Sequence, residues 1–200
     1  MNLSRSEQKY QAIVQAAKQA FLEYGVQGTS MDKLAELAQV SKRTIYNHFK
    51  NKEELVIHLL AELWNDTMVE LYTPYQPDQP VRDQLESILR KEIDFISSQE
   101  YLDLSRVAFG YFFYKPEELK KALEQFNKNE TALLRWIKEA NDHQQFKNID
   151  CEFAHEQLHS LMKGQCFWPQ LLNIEPALND QRKTHLVSTT ADMFLNQYHR

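Results

Sequence analysis

The feature that most constrains this chain is a pair of short helical patterns within residues 29–52, TSMDKLAELAQVSKRTIYNHFKNK, parted by a break of about three residues. In the first, Met31, Leu34, Ala35, Leu37 and Ala38 recur at intervals of three and four and so line one face. Ser30 stands before it as an N-cap, because its hydroxyl can accept a hydrogen bond from a free backbone N–H of the first turn. The second pattern opens at Ser41, another cap residue, and buries Ile45 and Phe49. Its other face carries Lys42, Arg43, Thr44, Tyr46, Asn47 and His48, all hydrogen-bond formers. A helix laid crosswise on a second one, with a polar and basic outer face, has the layout of a reader of the DNA major groove. Spacing alone serves a helical hairpin with a solvated face equally well.

The residue types narrow the choice. Phe21, Gly25, Thr29, Leu34, Ala35, Ala38, Val40, Ser41, Thr44, Ile45, Tyr46, His48, Phe49, Lys52 and Leu55 stand where the TetR family of repressors has its defining residues. Residues 9–60 thus resemble that family's DNA-binding domain, most specifically in the block 40–49. The resemblance implies an all-α chain. Residues 1–52 form a three-helix DNA-binding domain with a helix-turn-helix, continuing into a connector helix over 52–72, and residues 73–200 form a helical ligand-binding and dimerisation domain. At Gln39 the family usually has glycine, which suits a left-handed backbone. Gln39 is therefore expected either to adopt φ > 0 or to shift the turn.

Roles in the reader follow from reach and chemistry. Lys42 and Arg43 lie in the first turn, where side chains meet base edges, and the fork of Arg43 matches two acceptors on one guanine. Thr44 suits a thymine methyl or a phosphate. The resemblance implies Tyr46 and His48 as phosphate positioners, while Lys52, at the start of the next helix, and Thr29 are expected to clamp phosphates on either side. With Ser30, Ser41 and Asn47 these complete the candidate DNA-binding set. Ala35, Ile45 and Phe49 are expected in the core.

Charge agrees with a one-ended contact. Residues 1–52 carry a net +4, whereas the whole chain is −5, so residues 53–200 carry −9. That imbalance is also compatible with ordinary solvated surfaces. No apolar run reaches the ~18 residues of a membrane span and no signal-peptide core follows Met1, so a cytoplasmic location without membrane contact is expected. Cys151 and Cys166, placed on one helix, would lie roughly 22 Å apart and cannot pair. They are expected as buried packing residues, and neither a cofactor nor a metal is expected.

Gly is scarce and no alternating strand pattern persists, which again gives an all-α chain. Helices are predicted over 6–24, with a stripe of Ile13, Ala16, Ala17, Ala20, Phe21 and Tyr24, and from Asn51 as an N-cap onward. A further helix is predicted over 81–98, with Leu85, Ile88, Leu89, Ile93 and Ile96 inward. Others run from Pro116 to about Asn141, over 151–172 and over 179–198. The proline-rich 73–80 segment reads as a surface connection and 143–150 as a polar loop.

Three further groups carry candidate chemistry. Phe109, Tyr111, Phe112, Phe113, Tyr114, Trp136 and His159 are either plain core or, as the resemblance implies, the lining of an apolar ligand pocket with polar tips. Phe153, Leu161, Phe167, Trp168, Leu186, Val187, Met193 and Phe194 on the last two helices either close the monomer or pair with a second copy in a homodimer. Two half-sites about 34–36 Å apart need two readers related by a two-fold axis. Residues 113–117 and 163–172 resemble the C-terminal domain of the AefR-like subgroup. Finally, His155-Glu156-Gln157-Leu158-His159 is a literal HExxH, but no third ligand follows at suitable spacing. No catalytic residue is assigned. The expected function is a sequence-specific transcriptional regulator binding a palindromic operator in double-stranded DNA, a repressor released by a small-molecule effector. The alternative is a helical ligand-binding or interaction protein without operator specificity.

Overall fold

A computed structural model describes residues 4–113, 117, 130–147 and 149–200. Helix α1 (Arg5–Tyr24) begins at a capping box: Ser4 Oγ accepts from the Glu7 N–H at 3.2 Å, and Glu7 Oε2 accepts from the Ser4 N–H at 2.7 Å. It buries Ile13, Val14, Ala17, Ala20 and Phe21. Tyr24, expected in that stripe, is instead exposed, with Lys33 Nζ 3.1 Å from its ring centroid. Gly25 ends the helix at φ 70°. Three residues on, any Cβ at Gly28 would run into the carbonyl oxygen of Tyr24, so the turn requires glycine there.

Helices α2 (Met31–Leu37) and α3 (Lys42–His48) start at Ser30 and Ser41, whose hydroxyls accept from the N–H groups of Lys33 and Thr44, each at 3.1 Å. Between them Gln39 has φ 52°. The Gln39 N–H reaches the Glu36 carbonyl at 3.0 Å and the Val40 N–H reaches Ala35 at 2.9 Å, the paired bonds of a Schellman turn. The turn is thus kept in place and Gln39 takes the left-handed backbone. Replacing Gln39 by glycine should relieve that conformation and raise stability by about 0.5–1 kcal/mol, after the greater chain entropy of glycine is subtracted. Urea unfolding checks this; an unchanged or lower midpoint would mean that the glutamine side chain offsets its own strain.

Helix α4 (Lys52–Leu71) is capped by Asn51, whose Oδ1 accepts from the Glu54 N–H at 2.8 Å, while Glu54 Oε2 takes the Lys50 N–H at 2.6 Å. The following helices are α5 (Val81–Ile96), α6 (Gln99–Phe112), α7 (Ala132–Asp142), α8 (Cys151–Cys166), the single turn α9 (Trp168–Leu171) and α10 (Asp180–Tyr198). Among the described residues the only β contact is an isolated bridge between Phe146 and His199. No described helix is long and apolar enough to cross a membrane.

The chain divides into two compact units: the described residues of Met1–Leu63 and Asp103–Gln125, and those of Trp64–Leu102 and Phe126–Arg200. The division falls inside α4 and α6. In the first unit α1, α2 and α3 pack on one another; in the second, α5 is packed by α7, α8 and α10. The proline-rich connection is fastened by two side chains. Glu139 accepts from Tyr72 Oη at 2.6 Å and from the Tyr75 N–H at 2.8 Å, and Gln84 bonds the backbone of Gln76 and Gln79.

Two predicted boundaries move. The helix expected from Pro116 to about Asn141 is not continuous, because Thr131 caps a new helix by accepting from the Leu134 N–H at 3.1 Å. Most of residues 116–126 lie outside the described residues. The helix expected over 151–172 stops at Cys166, since Pro169 has no N–H for the next turn and sits instead in the first turn of α9. Cys151 and Cys166 are both free, the second buried, with its thiol pushed up to about 12 by burial. The loop at 143–150 is less polar inside than its sequence implies, as Phe146 is buried there.

Candidate nucleic-acid interface

Helix α3 is held from below by Ile45 and Phe49, both buried. Above them Arg43, Tyr46 and Asn47 are exposed, and Arg43 forms no ion pair or hydrogen bond among the described residues. Lys42 Nζ lies 2.6 Å from Asp32 Oδ2 on α2, a bond that holds its ammonium above the usual lysine range. Both groups are well exposed, so a phosphate can replace the carboxylate. Ser30 and Ser41 use their hydroxyls as caps, and Thr44 Oγ1 sits 2.8 Å from Ser41 Oγ. His48 is half-buried, its ring edge-on to Tyr10 at 5.8 Å. Tyr10 in turn stacks on Phe49 at 5.6 Å and places its hydroxyl 2.6 Å from His58 Nε2 on α4, so the end of the reader is braced by two other helices.

Two expected phosphate clamps have a different part. Thr29 is 2% exposed, and its hydroxyl donates to the carbonyls of Gly25 at 2.8 Å and Ala20 at 3.3 Å. Its hydroxyl therefore fastens the turn between α1 and α2. Lys52 Nζ donates to the carbonyls of Val26 at 2.7 Å and Thr29 at 3.1 Å, leaving one of its three N–H groups. Thr29, Ser30, Tyr46 and Lys52 nevertheless line one hollow beside α3. The sequence brought these residues forward by type; their partners depend on where the last carbonyls of α1 fall.

In the second unit, Trp136 is fully buried, its Nε1 donates to Gln84 Oε1 at 3.3 Å, and its ring packs on Tyr75 and Phe146. Its polar tip is therefore engaged within the core and not offered to a ligand. His159 lies 3.2 Å from Glu92 through Nε2. Phe109 and Phe113 are exposed and belong to the first unit. The side chains of Tyr111 and Phe112, and all of Tyr114, lie outside the described residues. Glu92 was missed. Its signal was its place in the stripe Leu85, Ile88, Leu89, Ile93, Ile96, where a carboxylate is costly unless it meets a partner.

The HExxH pair does not gather ligands. His155 Nε2 is 2.8 Å from Thr131 Oγ1, and Glu156 is exposed on another face. Among the described residues no three His, Cys, Asp or Glu side chains are placed to hold a metal. Burial, and next the neighbouring His159, push His155 down to about 4 from the ordinary 6.5. The folded chain thus refuses a proton that the unfolded chain accepts between pH 6.5 and about 4. No penalty exists above pH 6.5, and it grows to about 3 kcal/mol as pH falls to about 4. Comparing unfolding free energies of the wild type and His155→Gln over that range should show the shallower fall in the variant; parallel curves would contradict the assignment.

On α8 and α10, Phe153 and Met193 are 54% and 59% exposed, and with Leu161 and half-buried Leu186 they line two adjoining hollows. Trp168 is exposed on α9. Phe167, Val187 and Phe194 were expected beside them but are buried within the unit, Phe194 with its ring 5.5 Å from that of Phe146.

A capped helix with a hydrogen-bonding outer face, set on a second helix through a left-handed turn, defines a helix-turn-helix DNA-binding protein. More narrowly, the chain belongs to the TetR family of bacterial regulatory proteins. Residues 13–59 match the tetR family, and residues 83–200 match the C-terminal domain of AefR-like transcriptional repressors. It is similar to the uncharacterized HTH-type transcriptional regulator YhgD of Bacillus subtilis (strain 168), 34% identical over 83 residues, covering 42% of this chain and 44% of that one. To the HTH-type transcriptional regulator TtgR of Pseudomonas putida it is 49% identical over 51 residues, covering 26% and 24%. The matches span less than half the length of these two relatives. The crystal structure of a TetR family transcriptional regulator from Pseudomonas syringae pv. tomato str. DC3000 is 36% identical, covers 98% of both chains and has a TM-score of 0.71.

Proposed function

We propose that this protein is a sequence-specific transcriptional regulator, a repressor that binds a palindromic operator as a two-fold homodimer and leaves it when a small molecule enters the C-terminal unit. The observation that carries the reading is the outer row of α3, where Arg43, Tyr46 and Asn47 stand exposed on a helix fixed from behind by Ile45. The apolar face of Phe153, Leu161 and Met193 supports pairing, since a second copy would cover it symmetrically. An effector acts by preferring a form whose two readers no longer match the half-site spacing, which shifts the population towards it. The cytoplasm, where chromosomal DNA is reached, is the proposed place of action.

Selection of bound duplexes from a random pool tests this. A palindrome with half-sites separated by a whole number of helical turns is expected, and its affinity should fall steeply with salt. Recovery of no preferred sequence would favour the helical interaction protein without operator specificity.

A further inference from the structure

Glu92 on α5 is 1% exposed, yet only one of its oxygens is bonded. Oε2 lies 3.2 Å from His159 Nε2, and Oε1 has no hydrogen-bond partner among the described residues. A buried acceptor without a partner has lost its water and gained nothing in return, and a leucine in the same stripe would escape that penalty. Lys163 and His155 lie close enough to feel the charge of Glu92, but neither hydrogen-bonds Oε1. Lys163 makes no ion pair with Glu92; its Nζ lies 5.7 Å from the ring of Trp64 and 5.9 Å from that of Phe167. His155 keeps its Nε2 on Thr131 and stays neutral near pH 7. Flat walls stand nearby: the Trp64 ring is 6.3 Å from His159, 5.8 Å from Phe95 and 6.0 Å from Tyr101, and Phe95 is one turn along α5 from Glu92.

We propose that Glu92 is the polar anchor of a small-molecule site in the second unit, and that its ligand is a flat aromatic molecule bearing an O–H or N–H donor. The donor bonds Glu92 Oε1, and the ring lies against Trp64, Phe95 and Tyr101. A carboxylate only accepts, so a ligand offering only acceptors or a negative charge would be repelled, and an aliphatic one would leave Oε1 as it is. This assignment rests on the effector reading above and gives that ligand its chemical class.

The test is calorimetric titration of the full-length chain with phenol, naphthol and hydroxybiphenyl, each beside its methyl ether. At least one hydroxyl compound is expected to bind roughly tenfold or more tightly than its ether. Glu92→Leu should abolish that preference. Should the leucine variant not fold, Glu92→Gln decides, because a neutral acceptor should reduce the preference by roughly threefold or more. Equal binding of alcohol and ether, absence of binding by all six compounds, or a preference that survives both substitutions overturns the anchor. The effector reading is judged separately, by whether a compound that binds lowers affinity for the selected duplex.

Discussion

Replacing Arg43 by alanine should lower affinity for the selected duplex by about 1–3 kcal/mol per half-site, with the loss confined to one base position. Random duplex should be bound nearly as before. The reason is local: Arg43 is exposed in the first turn of α3, just after the Ser41 cap, and no carboxylate among the described residues competes for its fork. Lys52→Ala should behave differently. Its ammonium ties the carbonyls of Val26 and Thr29, so the substitution loosens the turn before α2 and weakens all sequences alike. Anisotropy titrations on the selected duplex and its single-base variants separate the two. An equal loss on every sequence for Arg43→Ala would make it a phosphate contact and not a base reader.

The double substitution Leu161→Glu with Met193→Glu should give a folded monomer and reduce operator affinity by roughly a hundredfold or more. Both side chains are exposed, so helix content should be unchanged. Across a two-fold axis the same patch meets itself, and each added charge faces its like in a face that has just lost its apolar cover. A single reader then binds one half-site without the gain of the tethered second. Light scattering at micromolar concentration gives the mass; a variant that remained dimeric would place the interface elsewhere.

What could be read from the sequence divides by range. The start of α3 was legible because Ser41 and its apolar partners lie within one or two turns, and caps act locally. Gln39 was legible as a problem, while its solution needed the bonds to Ala35 and Glu36. Thr29 and Lys52 were named for phosphate because their types fit it, yet both are claimed by backbone carbonyls that only the tertiary fold brings near. Periodicity could not separate Val187 and Phe194 from Met193 on α10, since a helix apolar on two sides does not declare which side is covered. Thr131 was passed over because apolar spacing continued across it, although a cap residue before a fresh stripe marks a start. Glu92 stands in an isoleucine and leucine stripe, and its bonding depends on His159, far away in the sequence.

The central claim is that α3, presented twice, tells one duplex from another. Its most direct test is the ratio of dissociation constants for the selected palindrome and a scrambled duplex of equal composition, measured at about 150 mM salt. The expected ratio is roughly a thousandfold or more in favour of the palindrome. Equal affinity for the two duplexes would contradict it.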